Sequence, residues 1–88
     1  MDEDTLHSYS LSDLVRLRLS IVLDGLAGHR VAGLYHRVMN EIERVLIEEA
    51  LARSNGSQVE AAAFLGIHRN TLRNRMKKLE IVRRSNLR

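Results

Sequence analysis

Apolar residues in this chain recur at helical spacing. Between residues 11 and 26 they are Leu11, Leu14, Val15, Leu17, Leu19, Ile21, Val22, Leu23 and Leu26. At 3.6 residues per turn these cover well over half of a helix's circumference. A second and longest helix is expected over residues 31–53, on the order of 34 Å at 1.5 Å per residue. Its apolar positions, Val31, Leu34, Tyr35, Val38, Met39, Ile42, Val45, Leu46, Ala50 and Leu51, form one wide stripe. Glu41, Glu43, Arg44, Glu48 and Glu49 hold its outer face. Gln58 to Leu65 predicts a short third helix. A fourth runs from His68 to Leu79 or Glu80, with Leu72, Met76 and Leu79 at i, i+4, i+7 as its buried stripe. The fold class is all-α, a four-helix subunit.

The polar residues between these segments punctuate them. Ser10 or Ser12 can cap the first helix, with Asp13 favourable in its first turn. Gly25 and Gly28 end that helix, and Ala27 to Arg30 form the loop. Asn55-Gly56 is a stop signal for the second. Ser57 with Glu60 fits a capping box at the start of the third. Gly66 can enter a left-handed turn without steric cost, and Ile67 beside it is expected to plug the core. Ala62 is small where two helices must cross closely. Two short helices, a glycine turn and a basic second helix make a helix-turn-helix pattern.

Length and composition narrow the picture. The chain has 88 residues, no cysteine and no proline. A chain of this size buries only a modest core alone. A first helix that is apolar on so many sides needs cover on more than one side, so an intertwined homodimer is expected. Without cysteine there is no disulfide framework, thiolate zinc site or cysteine nucleophile. The acidic start lacks the order of a signal peptide. Arg16 and Arg18 interrupt the most apolar stretch, so neither a membrane span nor a membrane partner is expected, and the location is read as cytoplasmic.

Charge placement supplies the chemistry. Residues 1–50 hold nine acids against five Lys/Arg, whereas residues 51–88 hold two acids against nine Lys/Arg. The positive charge therefore sits on the helix-turn-helix end, the electrostatic footprint of a phosphate-binding surface. With Leu72 inward, Asn70, Thr71, Arg73, Asn74, Lys77 and Lys78 point away from the core, and Arg69 and Arg75 flank the boundary. Such amide, hydroxyl and cationic groups bond base edges and phosphates. The N-terminal end of the helix is the part that enters the major groove, so His68, Arg69, Asn70 and Arg73 are best placed for bases. Asn74, Arg75, Lys77 and Lys78 are expected at the backbone. Ser57 and Gln58 open the third helix, where free N–H groups can hold a phosphate.

Four segments result: an acidic tail over 1–10, dimerisation helices over 11–54, a helix-turn-helix unit over 55–81 and a basic tail over 82–88. His7, His29, His36 and His68 show no metal-ligand spacing. The carboxylate pairs Glu48-Glu49 and Glu41/Glu43 lie on a helical surface. With no Gly-rich phosphate loop, neither an enzyme, a cofactor nor a small-molecule substrate is expected.

Several pieces together resemble the Fis family of bacterial nucleoid proteins, and equally the C-terminal DNA-binding domain of NtrC-like sigma-54 activators. They are Gly33-Leu34-Tyr35, Glu41-Ile42-Glu43, Asn55-Gly56-Ser57-Gln58, Ala61-Ala62, Leu65-Gly66-Ile67 and Arg69-Asn70-Thr71-Leu72-Arg73. The resemblance covers about residues 11–81. It implies a homodimer built from the first two helices, closely set helix-turn-helix units and bent double-stranded DNA. It also implies a nucleoid location, with RNA polymerase or other transcription machinery as a further candidate partner. By position, the family's DNA contacts fall on Ser57, Arg69, Thr71, Arg73 and Arg75. The chain departs from the family at His68, usually Asn, at Val59, usually a hydroxyl residue, at Glu60, often basic, and at Asn74, usually Lys. The first ten residues show no clear β-hairpin.

The leading expectation is a DNA-binding, DNA-bending transcriptional regulator. The alternatives are the severed end of a sigma-54-dependent activator, or a helical dimerisation module that docks an acidic protein. Met1 with a short acidic lead favours the free-standing protein.

Overall fold

The computed structural model describes residues 8–81, and no strand occurs among them. The four helices are α1 (Leu11–Gly25), α2 (Leu34–Arg53), α3 (Gln58–Leu65) and α4 (Arg69–Lys78). They fall into two compact units that divide between Ala32 and Gly33. The expected tail over 82–88 and most of that over 1–10 lie outside the described residues.

In the first unit Ser10 caps α1. Its Oγ accepts the Asp13 N–H at 3.1 Å, and the Asp13 carboxylate accepts the Ser10 N–H at 3.1 Å. Both orphan donors are thereby satisfied, the capping-box arrangement. No residue of α1 is buried, and Leu11, Leu17, Ile21, Val22 and Leu23 are all exposed.

The second unit holds α2, α3 and α4 around one core. The buried apolar residues are Ile47, Ala50 and Leu51 of α2, Ala61 and Ala62 of α3, and Leu72, Met76 and Leu79, with Leu65 and Ile81 packed against them. Leu51 and Leu72 are the largest fully buried side chains. Ala61 and Ala62 occupy the α3 face, where short side chains let helices approach closely.

Three expectations about α2 are corrected. It begins at Leu34 rather than residue 31, because Gly33 takes a left-handed φ of +70° at its N-cap and the helix cannot extend backward through it. Ile47, absent from the expected stripe, is 2% exposed, while Tyr35, Met39, Ile42, Val45 and Leu46 are exposed. The stripe is in fact two faces, about a third of a turn apart at 100° per residue. Ile47, Ala50, Leu51 and Ser54 form the face toward α3 and α4. The other face lies open. Finally, Glu43 and Arg44 do not stand on the outer face but are half-buried.

Three helix ends in this unit close alike. The Gly56 N–H donates to the Leu51 carbonyl at 2.8 Å, Ile67 to Ala62 at 3.0 Å and Ile81 to Met76 at 2.8 Å. Each bond spans five residues around a left-handed one, the Schellman arrangement. At the second end that residue is Gly66, with φ +75°. A Cβ there would meet nothing within 4 Å, so it is the dihedral and not space that calls for glycine. Ile67 does not plug the core as expected. It is 37% exposed, and Leu65 packs there instead.

Candidate nucleic-acid interface

The α3 start is half of the expected capping box. Ser57 Oγ accepts the Glu60 N–H at 3.2 Å. The reverse bond is replaced, since the Ser57 N–H donates to the Ser54 carbonyl at 2.9 Å. Glu60 is left exposed.

His68 is the N-cap of α4 rather than its first helical residue. Its Nδ1 accepts the Asn70 N–H at 3.1 Å. An accepting Nδ1 carries no proton, so the proton of the neutral ring is on Nε2. The side chain therefore offers an approaching ligand a single donor.

From that cap α4 projects its polar residues in two rows. Taking Leu72 as inward, Asn70, Arg73, Asn74 and Lys77 share one flank, and Thr71, Arg75 and Lys78 share the other at i, i+4, i+7. Arg69, Asn70, Thr71, Arg73, Asn74, Lys77 and Lys78 are exposed. The first row meets Gln58 of α3: Gln58, Asn70, Arg73, Asn74 and Lys77, with Met76 and Ile81, line an open concavity of about 510 Å³. The structure thus gathers five of the expected site residues in one place. His68, Arg69, Thr71 and Lys78 lie on the surface beside it, and Ser57 is half-buried at the α3 cap.

Arg75 differs from the rest. Its Nε donates to Glu43 Oε2 at 2.7 Å, and its Nη2 donates to Glu43 Oε1. Both side chains are 31% exposed. This side-on pair joins α2 to α4 across 32 residues of sequence. The hydrogen bond from Arg75 holds the Glu43 carboxyl below its ordinary value of 4.5, against a smaller opposing effect of burial, and the charges of Arg75 and Lys78 add to the lowering. Sequence reasoning assigned Glu43 to a solvated face. The available signal was its spacing: Glu43 stands four residues before Ile47, on the line of the buried face.

Among the described residues no group of His, Cys, Asp and Glu is placed to hold a metal ion. None of the described helices is long and apolar enough to cross a membrane.

The sequence is similar to those of known proteins. The family described as "Bacterial regulatory protein, Fis family" matches residues 38–79, the span from early α2 through α4. The DNA-binding protein Fis of Vibrio atlanticus is 36% identical over 76 residues, covering 86% of this chain and 78% of the relative. The chain belongs to the Fis family. The Fis protein of Buchnera aphidicola is 38% identical over 68 residues, 77% of this chain and 69% of that protein. The DNA-binding transcriptional regulator NtrC of a Bradyrhizobium strain is 51% identical over 49 residues, 56% of this chain but 10% of the relative. This Fis-family chain thus matches about a tenth of the length of such regulators. No solved structure matches it.

Proposed function

We propose that this Fis-family bacterial regulatory protein is a DNA-binding transcriptional regulator that reads the major groove through α4, acts as a homodimer and bends the duplex. One observation carries the reading. The exposed side chains of α4 are cations, amides and a hydroxyl without a single acid. His68, Arg69, Asn70 and Arg73, near the helix start, are the base readers. Ser57, Gln58, Thr71, Asn74, Arg75, Lys77 and Lys78 serve chiefly the backbone. Residues 11–54 set the distance between two copies of the 55–81 unit. The open apolar faces of α1 and α2 support this division. The chain carries out no catalysis, works in the cytoplasm at the nucleoid, and touches RNA polymerase or other transcription machinery where it regulates.

The test is fluorescence anisotropy with labelled duplexes across a salt series. Binding that weakens steeply with salt is expected, with a slope near −0.9 per phosphate neutralised. No binding to any duplex at low salt overturns the proposal and favours an acidic protein as the partner of the basic face. Circularly permuted duplexes in a gel report bending.

The match to NtrC favours a second reading, that the chain serves as the DNA-binding end of a larger activator. An ATPase domain encoded in the same open reading frame, upstream, is its signature.

A further inference from the structure

We infer that Glu43 is a positioning residue for DNA binding: it holds the Arg75 guanidinium side-on so that the free edge of Arg75 meets a backbone phosphate. The inference rests on the DNA-binding reading above and deepens it. A guanidinium has five N–H donors in a fixed plane. Glu43 engages Nε and one hydrogen of Nη2. Three donors remain, one on Nη2 and two on Nη1; one from each nitrogen forms the end edge, a free two-pronged fork, and Arg75 keeps part of its surface exposed. A planar fork of this kind matches two phosphate oxygens. Free in solvent, the same side chain would lose rotamer freedom on binding. Pinned by Glu43, it has already lost it.

The neighbours fit this role. Thr71 and Lys78 share the flank with Arg75, four residues before and three after it. Hydroxyl, guanidinium and ammonium then follow one another along α4, a rail for successive phosphates. The concavity on the other flank holds Asn70 and Arg73, two of the proposed base readers. Because Glu43 stands on α2, it also ties the rail to the helix that sets the position of the whole unit.

Charge alone argues the other way, which makes the inference sharp. A carboxylate beside a polyanion repels it, so removing it should tighten binding. Positioning requires the opposite. The experiment measures duplex affinity against salt for the full chain and for Glu43→Gln, Arg75→Ala and the double variant, with helix content checked by circular dichroism. Glu43→Gln is expected to weaken binding about three- to tenfold, within the coupling typical of hydrogen-bonded neighbours. Arg75→Ala should weaken it and lower the salt slope by about 0.9, one phosphate. In the Arg75→Ala background, Glu43→Gln should tighten binding, since only repulsion is left. If Glu43→Gln loses helix content, Arg75→Lys replaces it in the test: it keeps the charge but not the side-on pair, so affinity should fall at an unchanged slope. Tighter or unchanged binding by Glu43→Gln, equal weakening in both backgrounds, or full affinity of Arg75→Lys overturns the inference and leaves the DNA-binding reading intact. A parent chain that binds no duplex overturns both.

Discussion

The imidazole of His68 caps the helix on which Asn70 stands, accepting its backbone N–H at 3.1 Å. Side-chain oxygen caps from Ser, Thr, Asn or Asp contribute about 0.5–2 kcal/mol, and a ring-nitrogen cap satisfies the same orphan donor. His68→Ala should therefore destabilise the fold by about 1 kcal/mol, and His68→Asn, which supplies a better capping oxygen, should restore or exceed the parent stability. Urea unfolding at constant m-value reads both. Equal midpoints for His68→Ala and the parent would remove the cap from any account of α4.

Glu43 and Arg75 predict an acid-sensitive stability. The folded carboxyl ionises below its ordinary value, so the folded state binds fewer protons than the unfolded one in that range. The stabilisation is fully present above about pH 5, beyond the ordinary carboxyl value of 4.5, and is lost as pH falls through the folded value. Glu43→Gln lacks it at every pH. The stability gap between parent and variant should be open at neutral pH and close in acid, and a gap that does not change with pH would deny the pair its role.

Glu80 takes φ +56° at the end of α4. A left-handed L-residue costs about 1–2 kcal/mol, partly offset in glycine by greater freedom of the unfolded chain. Glu80→Gly should raise stability by about 0.5–1 kcal/mol. Unfolding midpoints check it, and a loss of stability would mean that the Glu80 side chain supports the helix end.

Leu72 is fully buried in a small core. Leu72→Ala should cost about 2–5 kcal/mol, a large part of the stability of any small domain. Denaturant unfolding should show most of it, and a loss below about 1 kcal/mol would mean that the core collapses around the gap.

The open face of α2 carries Tyr35, Met39, Ile42, Val45 and Leu46. Under the homodimer proposal, sedimentation should give twice the 10.1 kDa chain mass, and Ile42→Glu should return it to the single-chain value with α2–α4 still helical. A single-chain mass for the parent at micromolar concentration would refute the dimer.

What could be read from sequence was what neighbours decide. Gly66, Asn55-Gly56 and the Ser57 cap act through bonds a few residues long, and each stands where the spacing put it. Gly33 shows the limit of the same logic: apolar periodicity ran through Val31 and Leu34, and a single left-handed residue cut it. Ile47 was lost for another reason. Two apolar faces on one helix add up to one broad stripe when only periodicity is counted, and partners separate them. The candidate site followed the same division. The exposed row from Arg69 to Lys78 follows from the direction of Leu72. The commitment of Arg75 to Glu43 depends on a residue 32 positions away, which no local pattern specifies.

The repeated five-residue closures bear on how such a protein diversifies. The ends of α2, α3 and α4 are fixed by main-chain bonds that ask little of side-chain identity beyond one or two left-handed residues each. The tilt of α4 is therefore inherited from the backbone and a handful of core residues. Its outward residues are then free to be exchanged without re-aiming the helix. New target preferences can arise by substitution on a fixed mount, and a departure such as Asn74 is the kind of change that such a mount tolerates.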